Sequence, residues 1–200
     1  MKKRHLLRNE SGAAAIEMAF ALPVLIVMIW AFVQLAQVYR DVGTGNVAKA
    51  PAQLDELAKS GSKAIRASAL FTSAAIALEK NDHKTAIAKY REIAGDGDFP
   101  QPYRDAALIR QTALEFDQIK PDEVISRLEP FAKPGKPWFG TAGEMTALAM
   151  IKQGKKDQAG RLFAAIAKDK GVPESIRGRA VQIAGTLGVD ASSALDSLAQ

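Results

Sequence analysis

From Met18 to Tyr39 the chain reads MAFALPVLIVMIWAFVQLAQVY without a single charge, and between Leu22 and Phe32 it is apolar on every side. A surface helix would carry one apolar stripe instead. The run is long enough for the roughly 20 helical residues that a hydrocarbon core demands, so it predicts a membrane-spanning helix. One competing reading is a cleaved secretory signal, whose apolar core is usually only about 7 to 15 residues long. A buried core helix is the other, and the all-round apolarity fits it less well.

After Tyr39 the pattern changes. RDVGTGNVAKAP breaks any period with glycines and a proline and reads as a linker over 40–51. From Ala52 onward apolar positions recur at helical spacing, first at Leu54, Leu57 and Ala58, with Gly61 as the break. Ser62 to Lys80 predicts a longer helix, with Asn81 as a left-handed cap. Asp82 can open the next, which buries Ala86, Ile87, Tyr90 and Ile93. Further helices are predicted over Pro102–Asp117, Pro121–Phe131, Thr141–Gln153, Lys155–Lys168 and Pro173–Leu187, with the three prolines in first turns and Gly154 at a helix end. No useful stretch alternates with a period of two. The expected fold is all-α.

Internal similarity narrows the architecture. NDHKTAIAKYREIAGDGDFP can be laid over GKKDQAGRLFAAIAKDKGVP, which matches Asn81 with Gly154, Ala86 with Ala159, Tyr90 with Phe163, Ile93 with Ile166 and Pro100 with Pro173. Pro100 and Pro173 stand 73 positions apart, about twice the tetratricopeptide period of 34. Pro102 to Phe131 supplies a hairpin between them, and small residues such as Ala74 and Ala147 would let paired helices approach. The expectation is a transmembrane helix followed by a tetratricopeptide-like array of helical hairpins.

Composition adds exclusions. With 200 residues, 48% hydrophobic and 24% charged, the chain suits one globular domain plus an anchor. It has no Cys, which removes disulfides, thiolate metal sites and cysteine nucleophiles, and its two His lie far apart. Lys2, Lys3, Arg4 and Arg8 cluster basic residues at the N-terminus, while the rest of the net charge of +5 is spread beyond Arg40 over interleaved acids and bases, a poor footprint for nucleic acid. Such a basic cluster stays cytoplasmic, so the following domain is expected on the far side. In a bacterium that is the periplasm.

Lys133 to Gly140 concentrates Pro134, Pro137, Trp138 and Phe139 beside Lys133, Lys136 and Lys152. Trp138 and Phe139 can anchor a protein partner or staple the next helix into the core; the structural role is the expectation. Other inner-helix positions that would face a groove are Ser73, Ala77, Arg110, Met145 and Lys152. Arg104, Arg110, Arg177 and Arg179 are expected to pair with Asp105, Glu115 or Glu174 at the surface. Carboxylates such as Glu115, Glu144, Asp96 and Asp98 form no recognisable dyad. Gly43–Gly45 and Gly95–Gly97 lack the flanking pattern of a nucleotide loop. No cofactor, metal, small-molecule substrate or catalysis is expected.

Two segments carry family resemblances. RNESGAAAIEMAFALPVLIVMIW, within about 8–35, resembles the N-terminus of TadE-like pilus-assembly proteins. That resemblance implies a prepilin-type signal, peptidase cleavage between Gly12 and Ala13, and Glu17 as the acid at the fifth mature position. Glu17 can equally sit at the headgroup boundary, where an acid suits a helix start. The second covers about 52–191, through KAIRASALFTSAAIALEKNDHKTAIAKYREIA, QPYRDAALIRQTALEFD, KPGKPWFGTAGEMTALAMIKQGKKDQAGRLFAAIA and VPESIRGRAVQIAGTLGVD. It looks like the YfgM-like ancillary subunits of the SecYEG translocon.

What this implies is a single-pass inner-membrane protein whose periplasmic repeat domain joins the translocon and periplasmic chaperones. The expected division is a basic cytoplasmic leader over 1–12, an anchor over 13–39, a linker over 40–51, a repeat domain over 52–191 and a tail over 192–200. The alternative is a TadE-like minor pseudopilin.

Overall fold

The computed structural model of the chain describes residues 10–44 and 48–197, with side chains of the first helix described from Leu25. Among the described residues every regular element is helical. In chain order they are α1 (Glu10–Gly43), α2 (Ala50–Leu57), α3 (Lys63–Glu79), α4 (His83–Gly95), α5 (Gln101–Glu115), α6 (Pro121–Leu128), α7 (Phe139–Lys152), α8 (Lys156–Lys168) and α9 (Glu174–Thr186), followed by a 3-10 turn over Ser192–Ser197. They form two compact units, one of described residues up to Asp82 with Gly97–Pro100, the other of His83–Asp96 and residues from Gln101 onward.

In the first unit α1, α2 and α3 pack on one another. Ala31, Leu35 and Val38 recur every three or four residues along α1 and are buried with Leu54 and Leu57 of α2 and Ile65, Ala69 and Ile76 of α3. The apolar run therefore contains a stripe that protein covers, which its uniform composition hides. The helix continues past Tyr39 to Gly43, and α2 opens at Ala50 with Pro51 in its first turn, where a missing N–H costs nothing. Among the described residues no helix is long and apolar enough to cross a membrane. The span expected from Met18 begins within the part of α1 whose side chains lie outside the described residues.

In the second unit each helix packs against the next from α4 to α9. Phe139, Phe163, Ile166, Ala167, Ala180 and Ala184 belong to one core cluster, and Ile109, Val124, Leu128, Ala142 and Ala149 to another. Close approach is built with glycine. A Cβ on Gly143 would stand 2.9 Å from Ile166 Cδ1, and one on Gly160 only 2.7 Å from Val189 Cγ2. The closing 3-10 turn also contributes to the core, through Ala194.

The helix ends agree with the periodicity to within a few residues, and the departures have local causes. Pro173 precedes α9 instead of lying inside it, because its ψ of 141° is extended and Glu174 takes the first helical place. The helix expected to end at Phe131 stops at Leu128, whose carbonyl accepts from both Phe131 and Ala132 at 2.9 Å. The one expected from Thr141 opens two residues earlier, with Trp138 as its cap.

One turn is built three times. Asn81, Gly154 and Gly188 hold φ of 57°, 77° and 79°. At each, the next amide reaches back five residues: Asp82 to Ala77 at 2.8 Å, Lys155 to Met150 at 2.9 Å and Val189 to Ala184 at 2.9 Å. The one-residue-earlier bonds, Asn81 to Leu78, Gly154 to Ile151 and Gly188 to Gly185, repeat as well. The positions are separated by 73 and then 34 residues. The match extends past the turns: Arg104 donates from Nε to the Ala94 carbonyl at 3.5 Å, and Arg177, 73 positions on, to that of Ala167 at 3.0 Å. Each guanidinium thus meets the carbonyl-rich end of the preceding helix.

Candidate functional site

Two features stand out from the packed helices. On α1, Leu25, Ile26, Val27, Met28, Ile29 and Trp30 are all exposed, as are Phe32 at 68% and Val33. Contiguous apolar exposure on this scale marks a contact surface for lipid or protein. Apart from Tyr39 beyond them and Leu148 on α7, the exposed large apolar side chains among the described residues all belong to this stretch. The backbone of Gly12, Ala13 and Glu17 is helical within α1; their side chains lie outside the described residues.

The second is the segment before α7. Phe139 is fully buried, which fits the staple reading. Trp138 is half-buried, with one side against the cluster of Ile109, Val124, Leu128, Ala142 and Ala149. Its remaining surface lines a cleft of about 460 Å³ with Phe131, Pro130 and Pro137 from the α6–α7 loop and Pro102 and Asp105 from α5.

The other groove candidates take varied places. Ser73 is half-buried and Ala77 buried on α3, in the first unit. In the second, Arg110 is exposed on α5 and Met145 packs on the core. Lys152 pairs with Asp117 at 2.6 Å and lies 4.2 Å above the Phe116 ring.

Arg179 pairs with an acid other than those expected. Arg179 holds Glu144 through two hydrogen bonds of 2.7 Å, joining residues 35 apart. Arg177 and Arg104 turn to backbone carbonyls. Glu115, only 8% exposed at its side chain, is held by Arg127 at 2.5 Å and Arg91 at 2.8 Å. Gln111 adds a third donor at 3.1 Å. Burial pushes this carboxyl upward, but the hydrogen bonds from Arg127, Gln111 and Arg91 outweigh it and hold the group below the ordinary glutamate value. Held by donors from three elements, it ties α4, α5 and α6 together. Among the described residues no group of His, Asp and Glu is placed to hold a metal ion.

An all-helical chain with an apolar N-terminal helix and a run of consecutively packed hairpins is the class these features define. Residues 12–42 match the family model of TadE-like proteins, and this N-terminal segment, which ends within α1, is TadE-like. No curated protein and no solved structure matches the chain. None of the comparisons supports the tetratricopeptide class or the YfgM-like translocon resemblance.

Proposed function

We propose that this chain is a membrane-tethered TadE-like subunit of a pilus-assembly apparatus, in which α1 inserts into the bacterial inner membrane and the helical hairpins bind another protein in the periplasm. It works by binding, without turnover. The observation that carries the reading is the coincidence of the TadE-like match over 12–42 with the exposed apolar surface of α1 between Leu25 and Val33. The charge-free sequence from Met18 and the basic cluster before it support an N-terminus in the cytoplasm.

Support for a tetratricopeptide-like array comes from the identical turns at Gly154 and Gly188, separated by the 34-residue period of that class. The alternative, an ancillary translocon subunit, draws on the resemblance of 52–191 alone. Photo-crosslinking from the hairpin domain in native membranes, read by mass spectrometry, tests the choice. Pilus-assembly components are the expected catch; translocon or chaperone subunits alone would reverse it. Intact mass adds the processing state: a mature chain starting at Ala13 is expected, and a Met1 start would remove the pilin-type signal.

A further inference from the structure

Trp138 and Phe131 are only partly covered by the core they pack on, and their remaining surface opens into a cleft. Its apolar surface is made of rings: the indole of Trp138, the phenyl of Phe131, and the pyrrolidines of Pro102, Pro130 and Pro137. Its volume of about 460 Å³ lies within the roughly 300–1,000 Å³ of ligand pockets. The loop that shapes it is held in place. Gly135, at φ +77°, donates its amide to Asp169 at 2.7 Å, Lys136 N to the Lys133 carbonyl at 3.1 Å, and Phe139 N to the Lys136 carbonyl at 3.0 Å. A rim fixed before binding loses little freedom when a partner arrives.

Two charges decide what fits. Lys133 is engaged by Glu129 at 2.6 Å, but Lys136, which lines the cleft, has no carboxylate partner among the described residues. Asp105 accepts one hydrogen bond, from Gln101 at 2.6 Å, which leaves acceptor capacity on the same lining. A wholly apolar ligand would meet neither Lys136 nor the remaining acceptor capacity of Asp105. An extended peptide offers amides to Asp105, rings to the aromatic floor and a carboxylate to Lys136.

Proline supplies those rings in a chain already extended, at little conformational cost. We infer that the cleft formed by Trp138, Phe131 and the three prolines is a docking site for a proline-containing, acid-flanked segment of a partner polypeptide, with Lys136 as the charge reader. This rests on the reading of the hairpin domain as a protein-binding platform and names where and what it binds.

The test uses the full chain in detergent micelles and three capped, dye-labelled pentapeptides: four prolines then glutamate, four prolines then lysine, and four alanines then glutamate. Fluorescence anisotropy should show saturable binding of the first, weaker by about threefold for the second, as one exposed ion pair allows. The alanine peptide should not bind. Lys136→Glu, on the exposed loop, should reverse the order of the first two. Trp138→Ala should weaken the first by about tenfold. Equal binding of the glutamate and lysine peptides, binding indifferent to Lys136→Glu, or no binding at all would overturn the cleft assignment. A homodimer of the chain that Lys136→Glu dissociates would instead seat a second copy there and also overturn it. Should partners still crosslink to the domain when the peptides fail, the platform reading survives and only this site is lost.

Discussion

Glu115 is the residue at which local chemistry is most sharply determined, because a buried carboxylate with three donors has little to gain from water and much to lose from protonation. Glu115→Gln keeps the volume but removes the charge that Arg127 and Arg91 face, and should cost about 2 kcal/mol, read as a lower unfolding midpoint of the detergent-solubilised chain. The pH dependence follows from the lowered pKa. The contribution is whole above the ordinary glutamate value of 4.5 and is lost as pH falls below that, through the depressed folded-state value. The wild type should lose stability more steeply than Glu115→Gln in that acid range, and parallel curves would refute it. Glycines give a second contrast. Gly160→Ala drives a Cβ to 2.7 Å from Val189 and should cost about 1–3 kcal/mol. Gly178→Ala, with nothing within 4 Å, should stabilise α9 by roughly 0.5–1 kcal/mol in the same melts. Residue chemistry was only half legible in the sequence. Glu115 was expected only as a surface partner of Arg104, Arg110, Arg177 or Arg179; its partners Arg91 and Arg127 lie 24 and 12 positions away, and only tertiary packing chooses among so many arginines.

The helices themselves were far more legible, since prolines, glycines and apolar spacing act locally and need no knowledge of the fold. Asn81 and Gly154 show why: a left-handed cap is written in one residue, and the same hydrogen bonds close around both. Gly154→Ala should therefore cost about 1–2 kcal/mol, while Asn81→Gly should be neutral or slightly stabilising, both measured as unfolding midpoints. Equal and negligible effects would mean that the turns merely follow the helices. The cleft escaped detection for the opposite reason. Trp138 and Pro137 were visible in the Lys133–Gly140 cluster, but Pro130 and Phe131 precede it, and Pro102 and Asp105 arrive from α5 and complete the lining only in space. Likewise the stripe of Ala31, Leu35 and Val38 vanished within a run where every neighbour is equally apolar. Leu35→Asp should disrupt the first unit, with faster proteolysis of α2 and α3. Ile26→Asp, on the exposed part of α1, should leave that unit protected while weakening its retention in vesicles.

At the scale of the molecule, α1 is asked to serve two surroundings in succession: exposed apolar side chains through Val33, and a buried stripe that reaches Val38 in the core of the first unit. If α1 inserts as proposed, the same helix would join the folded unit to its anchor through the packed stripe of Ala31, Leu35 and Val38. The absence of cysteine allows single thiols to be placed at will. The most direct measurement is labelling of Ile26→Cys, Trp30→Cys and Lys136→Cys with a membrane-impermeant maleimide, in intact cells and after detergent. Lys136→Cys should react from the periplasmic side of intact cells, while Ile26→Cys and Trp30→Cys should stay protected until detergent is added. Equal labelling of all three in intact membranes would contradict insertion, and labelling of Lys136→Cys only after cell rupture would contradict its orientation.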